Sequence, residues 1–303
     1  MTVYGPGKLI LKALVGDYPK TRALREGAVP SDLVELDIAE ITQAPKGFKP
    51  MVRQLAFDVA EVSIITFLQA KAAGKPYALL PYVVNGKFHH DSLLVNASAG
   101  IESPKDLEGK RIGMRMYSQT TPSWVRGFLQ NDYGVDLSTI HWITFEEPHV
   151  PEFPDPPGVE RGDPALPLFD MLAEGQIDAA FISGAPEDPR VRRLLPDPAA
   201  AAKEWSAAHG GAVPINHMLS VRTELLAERP DAVAEVFRLF KAAREAMDPP
   251  PTPAMLAKEP YGLERVRTAV ELANLYAVQQ GLIDRPFAID DLFDDFTRQL
   301  GAD

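Results

Sequence analysis

The stretch that decides the fold runs from Gly100 to Gly134: GIESPKDLEGKRIGMRMYSQTTPSWVRGFLQNDYG. Its order of residues predicts a turn, a short helix, a strand, a polar loop and a second helix. Ser103 is suited to cap the first helix, and Pro104 is suited to its first turn. The sequence KRIGMRM predicts the strand, and residues 117–121 predict a loop of hydrogen-bonding side chains. Open α/β sheets bind ligands where a strand ends and a helix begins, so this loop is a predicted ligand site.

The helix after this loop is predicted to begin at Pro122 and Ser123. The unpaired N–H groups and the positive end of a helix favour an anion at such a position. Alternatively, the loop is one of the many polar loops that bind nothing, and Arg126 forms a salt bridge within the protein. The predicted substrate contacts of the loop and helix are Tyr117, Gln119, Thr120, Thr121 and Arg126.

The length and charge of the chain limit the class of partner. The 303 residues are enough for two lobes of ordinary domain size. The formal net charge of -11 argues against nucleic acid and anionic membranes as partners. A small organic anion stays compatible, because a local site can be positive on an acidic protein. The absence of cysteine excludes disulfides and thiolate chemistry.

The first residues, MTVYGPGKLILKALVG, lack the basic leader and the sustained apolar core of a signal peptide. No apolar run approaches the roughly 20 residues that a membrane span needs. We therefore expect a cytoplasmic protein, or a periplasmic one if a leader has been removed. The sequence predicts nothing about the oligomeric state.

Two segments share one pattern, residues 48–74 and residues 165–186. Each predicts an amphipathic helix followed by a short apolar strand that opens near an aspartate and ends in small or polar residues. Strands that alternate with helices indicate a largely parallel sheet. The repetition predicts two similar α/β lobes with two crossovers between them. Lobe one is expected to comprise residues 1–93 and 217–303, and lobe two residues 94–216.

Several longer pieces of the chain match one known family in order and spacing. The matching pieces are GDYPKTRALREG, MVRQLAFDVAEVSIITFLQAKAAGKPY, FHHDSLLVNASAGIESPKDLEGKRIGMRMY, TTPSWVRGFLQNDYGVDLSTIHW and PINHMLSVR. Through these pieces the chain resembles the 4,5-dihydroxyphthalate decarboxylase family. The resemblance implies a two-lobed fold of the type II periplasmic-binding-protein kind, with a ligand cleft between the lobes. It also implies a lyase of aromatic degradation that decarboxylates a hydroxylated, phthalate-like acid without a cofactor.

Other members of this group are known only as solute-binding proteins. The alternative function is therefore a solute-binding protein of an ABC-type transport system, which captures a small organic anion and does no chemistry. An intracellular sensor of such anions is a third possibility that the sequence does not separate from the second.

The chain departs from the family pattern at two places. Where the decarboxylase tends to carry Arg-His-Ser, this chain has His89, His90 and Asp91. An arginine that the family tends to carry slightly earlier is replaced by Gly86. Because arginine pairs carboxylates through two parallel hydrogen bonds, its loss favours a substrate with one carboxylate or a different ring.

Decarboxylation of an aromatic ring needs a proton at the carbon that loses CO2, and histidine delivers protons at neutral pH. His90 matches the family's histidine and is the first candidate for the acid; His217, at the start of a strand, is the second. His90 could instead be a loop residue that hydrogen-bonds the backbone, and His217 could instead be a structural residue that ties the strand to a helix. His89 is a weaker candidate for a substrate contact.

The run from His89 to Asp91 also suggests a metal site. Adjacent residues on a strand point to opposite faces, so the three side chains cannot readily bind one ion. No metal and no cofactor is predicted.

Four further residues are predicted to contact substrate. Glu61 and Ser63 end the strand of the first repeat, where Glu61 can orient a histidine, accept a ligand hydroxyl or only cap the next helix. Asp17 and Tyr18 lie in the first strand–helix loop, match the family's Asp-Tyr pair, and are expected to close one wall of the site.

Overall fold

The computed structural model describes residues 4–163 and 166–302. Residues 1–3, 164, 165 and 303 lie outside the described residues, and residue 165 is the first of the second predicted repeat. By their contacts, the residues form two compact units. The first unit comprises Met1–Lys87, Ile215–Glu271 and Phe287–Asp303, and the second comprises Phe88–Pro214 and Leu272–Pro286. The chain therefore passes between units four times, whereas the sequence predicted two crossovers.

The described residues contain strands and α-helices that alternate along most of the chain. The strands are β1 (Leu9–Leu14), β2 (Val34–Ile38), β3 (Val59–Ser63), β4 (Tyr77–Gly86), β5 (Leu93–Asn96), β6 (Arg111–Met114), β7 (His141–Thr144), β8 (Glu160–Arg161), β9 (Ala179–Phe181), β10 (Val191–Arg193) and β11 (Ile215–Arg222). The helices are α1 (Arg22–Arg25), α2 (Pro45–Gln54), α3 (Ile64–Ala72), α4 (Thr120–Asn131), α5 (Leu168–Ala173), α6 (Pro198–Ala208), α7 (Thr223–Glu228), α8 (Pro230–Glu245), α9 (Pro253–Lys258), α10 (Leu263–Gln279) and α11 (Ile289–Leu292).

The first unit is built on a five-stranded sheet in the order β2-β1-β3-β11-β4. Strand β1 pairs in parallel with β2 and β3, whereas β11 is antiparallel to both of its neighbours, β3 and β4. Four strands therefore point one way and β11 points the other. The apolar side of α8 packs on one face of this sheet, with Val236 and Phe240 in the same core as Leu11 and Leu219.

The second unit is built on a six-stranded sheet in the order β10-β5-β9-β6-β7-β8. Strands β9, β6, β7 and β8 are parallel neighbours, and β5 is antiparallel to both β9 and β10. Each sheet therefore has one reversed strand in a set of parallel ones, which agrees with the predicted repetition. Helix α5 covers part of this sheet, where Leu172 packs with Leu94 and Ile177.

The segment that opened the sequence analysis forms the predicted elements with one correction. Ser103 precedes a short helical turn, Pro104–Leu107, and KRIGMRM contains strand β6. Helix α4, however, begins at Thr120 and not at Pro122. Proline fits the third helical position because the first N–H groups of a helix have no partner within it. The predicted polar loop is thereby shortened, and Thr120 and Thr121 lie in the first turn.

None of the helices in residues 4–163 and 166–302 is long and apolar enough to cross a membrane.

Gly86, at the end of β4, occupies a position with no room for a side chain. A Cβ atom built there would overlap the carbonyl oxygen of Lys258. We expect Gly86→Ala to lower the free energy of unfolding by about 1–3 kcal/mol, because the backbone must shift to relieve the overlap. Urea unfolding measures this change. Gly5→Ala is the control, since no atom lies within 4 Å of its built Cβ; equal losses in both variants would contradict the prediction.

Candidate functional site

A histidine–carboxylate pair lies on neighbouring strands of the first unit. In the antiparallel pairing of β3 with β11, His217 is opposite Ser63 and Leu219 is opposite Glu61. Glu61 and His217 are therefore diagonal neighbours on one face of the sheet, where side chains reach each other. His217 Nδ1 lies 2.6 Å from Glu61 Oε1.

Glu61 is fully buried, and each of its carboxylate oxygens accepts a hydrogen bond. The N–H group of Gly16 donates to Oε2 at 2.9 Å, and the Tyr18 hydroxyl donates to Oε1 at 2.9 Å. Both donors follow β1, which pairs in parallel with β3. Residues just after β1 therefore hydrogen-bond a side chain on β3. Burial alone would raise the pKa of Glu61, but the hydrogen bonds from His217, Gly16 and Tyr18 outweigh it and lower that pKa. Glu61 is therefore ionised at neutral pH.

The ionised carboxylate fixes the state of its two side-chain donors. A carboxylate can only accept, so the proton of the short contact with His217 sits on Nδ1. Burial raises the pKa of Tyr18, the charge of Glu61 raises it further, and the phenol stays a donor. The His217 side chain keeps 7% of its surface exposed, and its ring stands edge-on to Phe48 with 5.3 Å between centroids. Its Nε2 makes no hydrogen bond to any residue that the structure describes, so it is available to a ligand or water.

His90, the first candidate for the acid, lies among aromatic rings of the second unit. Its ring is stacked on Phe128 with a centroid distance of 4.4 Å and an interplanar angle of 12°, and Trp205 lies 6.1 Å away. Burial lowers the pKa of His90 to about 4, against an opposite effect of Asp91. His90 is therefore neutral at pH 7, and neither ring nitrogen is hydrogen-bonded to a described residue. Its neighbour His89 is fully buried.

The start of α4 has several hydrogen-bond donors that are not used within the described parts of the chain. Gln119 precedes the helix and makes no side-chain cap. The N–H groups of Thr120 and Thr121 have no acceptor there, and the buried hydroxyls of Ser118 and Thr120 have no partner there either. Unused backbone N–H groups and hydroxyls at a helix start form a suitable site for an oxyanion.

Arg126 is fully buried in α4 and supports the segment before this helix. Its Nη2 donates to the Tyr117 carbonyl oxygen at 2.7 Å, and its guanidinium lies 3.9 Å from the centroid of the Tyr117 ring. Its Nε donates to Gln280 Oε1 at 2.8 Å. No carboxylate among residues 4–163 and 166–302 forms an ion pair with it, and burial lowers its pKa. Arg126 thus adds a positive charge behind the start of α4, and its direct contact with substrate stays a prediction.

The remaining predicted contacts have local partners. Ser63 caps α3, since its hydroxyl accepts from the Thr66 N–H group at 3.3 Å and donates to Thr66 Oγ1 at 2.7 Å. Asp17 is exposed, and its N–H group donates to the Thr42 carbonyl oxygen. Of the three roles considered for Glu61, the geometry supports the orientation of a histidine.

Gly16 was not predicted from the sequence as a site residue, and Ser118 was predicted only as part of the polar loop over residues 117–121. A glycine at a strand end was the available signal for Gly16, because it lets the backbone approach a neighbouring group. No group of three or more His, Cys, Asp or Glu side chains in the described ranges is placed to hold a metal ion.

The comparisons with known proteins agree with this architecture. The family model NMT1/THI5 like matches residues 34–152. A 4,5-dihydroxyphthalate decarboxylase of Comamonas testosteroni is 34% identical over 251 residues, which cover 78% of this chain and 75% of that protein. The chain belongs to the 4,5-dihydroxyphthalate decarboxylase family. The enzyme of the same name from Pseudomonas putida is 34% identical over 214 residues, which cover 66% of this chain and 83% of that protein.

Solved structures confirm the fold predicted for this family member. The periplasmic aliphatic sulphonate binding protein SsuA of Escherichia coli has a TM-score of 0.56 at 14% identity, over 98% of this chain and 99% of that one. A putative sulfonate-binding SsuA of Methylobacillus flagellatus KT has a TM-score of 0.53 at 13% identity, over 96% and 92%. The chain therefore has the two-lobed fold of type II periplasmic binding proteins, and at these identities the likeness shows the fold alone.

The low pKa of Glu61 predicts how stability depends on pH. A group whose pKa falls on folding contributes its stability above its ordinary pKa, here 4.5, and loses it as the pH falls through its folded value. We expect Glu61→Gln to lower the free energy of unfolding at pH 7 by about 3 kcal/mol, because His217, Gly16 and Tyr18 lose a buried charged acceptor. Chemical unfolding at a series of pH values measures this effect. We expect the difference in free energy of unfolding between Glu61→Gln and the unmodified protein to become smaller below about pH 4.5.

Glu35→Gln is the control for this experiment, since Glu35 forms an exposed ion pair with Lys8. We expect it to change stability by less than about 1 kcal/mol. The assigned charge state of Glu61 would be contradicted if Glu61→Gln lost little free energy of unfolding at pH 7, or if its loss relative to the unmodified protein grew in acid.

Proposed function

We propose that this protein decarboxylates a hydroxylated, phthalate-like aromatic acid without a cofactor, and that His217 delivers the proton. The observation that carries the proposal is the pair formed by His217 and the buried, ionised Glu61. The names of the Comamonas and Pseudomonas relatives support the reaction and the substrate class.

The reaction replaces a carboxylate by a hydrogen on the same ring carbon. A ring hydroxyl para to that carbon donates electron density and stabilises the ring when the carbon is protonated. The bond to the carboxylate then breaks, its electron pair returns to the ring, and CO2 leaves. One proton is consumed for each CO2, so 4,5-dihydroxyphthalate would give 3,4-dihydroxybenzoate.

Each member of the pair has a role in this proton transfer. His217 in its doubly protonated form delivers the proton from Nε2, which carries no hydrogen bond to a described residue. Glu61 accepts the Nδ1–H hydrogen bond throughout and stabilises the charged imidazole before the transfer. Gly16 and Tyr18 keep the Glu61 carboxylate fixed while the charge on the His217 imidazole changes. His217 then regains its proton from solvent.

The second unit is proposed to supply an oxyanion site at the start of α4. The N–H groups of Thr120 and Thr121 and the hydroxyls of Ser118 and Thr120 suit a carboxylate, and the buried charge of Arg126 favours the same sign of ligand. Tyr117, Gln119 and Arg126 stay proposed contacts, as do Asp17, Ser63 and His89.

A solute-binding function is the second candidate. The Escherichia coli structure that shares the fold is named as an aliphatic sulphonate binding protein. The donors at the start of α4 suit a sulphonate as well as a carboxylate. Product analysis separates the two functions, because a binding protein returns its ligand unchanged.

The proton donor can be tested by turnover of 4,5-dihydroxyphthalate, followed as CO2 and as 3,4-dihydroxybenzoate. We expect His217→Gln to lower kcat by roughly 10²- to 10⁴-fold, the usual contribution of a general acid. His90→Phe keeps an aromatic ring on Phe128 and is expected to retain most of the activity. Loss of activity in His90→Phe, with activity retained in His217→Gln, would assign the acid to His90. Binding without product in the unmodified protein would favour the second candidate.

The oxyanion site can be tested by calorimetric binding of phthalate, benzoate and benzenesulphonate. We expect Ser118→Ala and Thr120→Val each to weaken binding of the preferred anion by about three- to tenfold, which corresponds to one hydrogen bond. Thr139→Val is the control in the same unit, because its hydroxyl donates to the Asp136 carbonyl oxygen on the surface. If both variants bound all three anions with unchanged affinity, the proposed oxyanion site would be contradicted.

A further inference from the structure

A second buried ion pair adjoins the residues that hold Glu61. Lys20 Nζ pairs with Glu259 Oε1, and the two side chains are only 12% and 10% exposed. The same Nζ lies 5.2 Å from the centroid of the Tyr18 ring, within range of a cation–π contact. Tyr18 in turn donates to the Glu61 oxygen that faces His217. A continuous series of contacts thus leads from Glu259 to the proposed proton donor.

Glu259 is attached to a part of the first unit that is itself held in place. Its carbonyl oxygen accepts a hydrogen bond from Arg244 Nη1 at 2.6 Å. The residues after it pair with β4: the Val83 N–H group donates to Pro260, and the Gly262 N–H group donates to Pro81. Glu259 therefore presents its carboxylate from backbone that is fixed to the sheet.

Lys20 lies in a short helical turn, Pro19–Thr21, directly after Tyr18. Thr21 closes this turn, since its hydroxyl donates to the Gly16 carbonyl oxygen at 2.6 Å. Gly16 and Tyr18, at the beginning of the same segment, are the two donors to Glu61 outside β11. The ion pair between Lys20 and the fixed carboxylate of Glu259 therefore holds the segment of residues 16–21 in position.

The charges around Glu259 make stability an incomplete reason for the pair. Glu259 Oε2 is buried and has no hydrogen-bond partner among the residues described. Burial raises the pKa of Glu259, Lys20 and Arg244 lower it, and Glu61 raises it. A buried ion pair with an unsatisfied oxygen contributes little net stability, because desolvation opposes the Coulomb attraction.

We propose that Lys20 and Glu259 are positioning residues, which hold Tyr18 so that its hydroxyl keeps Glu61 aligned with His217. The kinetic consequence of this inference rests on the proposed function, but the geometric one does not. Neither residue touches the reacting atoms in this proposal. Their effect reaches His217 only through Tyr18 and Glu61.

The geometric consequence can be measured by NMR of the full-length protein, without substrate. The short contact between His217 and Glu61 should give a downfield Nδ1–H proton resonance, assigned by its loss in His217→Gln. We expect this resonance to move upfield or broaden in Glu259→Gln, because Tyr18 is no longer held and the contact lengthens. The double variant Lys20→Met/Glu259→Gln should show the same change. Because it leaves no unpaired buried charge, it serves as the test if the single variant folds poorly.

Glu224→Gln is the matched control, since Arg222 and Glu224 form an ion pair of similar burial in the same unit, with side chains 10% and 18% exposed. We expect it to leave the His217 resonance unchanged. If the role of Glu259 were merely structural, Glu259→Gln would lower stability and would not move that resonance. An unchanged resonance in the double variant would overturn the proposal.

The route through Tyr18 can be separated from a direct electrostatic effect of Glu259. In Tyr18→Phe the ring remains but the hydroxyl that holds Glu61 is removed. We expect Glu259→Gln to cause no further shift of the His217 resonance in this background. A full additional shift would show that the charge of Glu259 acts directly, and it would overturn the positioning role.

The kinetic arm uses 4,5-dihydroxyphthalate. We expect Glu259→Gln to lower kcat by about ten- to a hundredfold with little change in KM, because a displaced proton donor slows the chemical step more than binding. If the unmodified protein shows no turnover, the proposed function fails while the resonance still decides the positioning role. A rise in KM with kcat unchanged would instead assign Lys20 and Glu259 to substrate binding and overturn the inference.

Discussion

The ionised side chain of Glu61 has no solvent exposure, and this constrains the first unit more than any other group in it. An unpaired buried charge is too costly to persist, so each of its oxygens must be matched by a donor. The three donors come from two places in the chain: the Gly16 N–H group and the Tyr18 hydroxyl lie in the segment after β1, and His217 Nδ1 lies on strand β11. The need to satisfy one carboxylate thus orients a histidine, keeps a tyrosine protonated and brings a glycine backbone close to β3.

Most of the elements could be predicted from the sequence because their signals are local. Apolar spacing located the helices and strands, and the cap at Ser103 is a property of neighbouring residues. The start of α4 was misplaced because proline is tolerated throughout the first helical turn, so its presence does not fix the first residue. The grouping of residues 272–286 with the second unit also had no local signal, since it depends on which surface α10 packs against.

The candidate site was predictable only in part, for a similar reason. The sequence suggested that Glu61 orients a histidine, but His217 is 156 residues away and its register opposite β3 cannot be derived from spacing. His90 had the more suggestive surroundings, with a histidine and an aspartate beside it. What decides its charge is the aromatic surface of Phe128 and Trp205, which desolvates the imidazole and is contributed by distant parts of the chain.

The reversed strand β11 has a consequence for the order in which the protein can be assembled during synthesis. It lies between β3 and β4 in the finished sheet, yet it follows them by more than 120 residues in the chain. As the ribosome proceeds from the amino terminus, β1 to β4 emerge long before the strand that joins β3 to β4. Contacts so distant in sequence form slowly. We therefore expect the Glu61 carboxylate to stay hydrated until β11 has been synthesised, and to lose its water only when β11 completes the sheet.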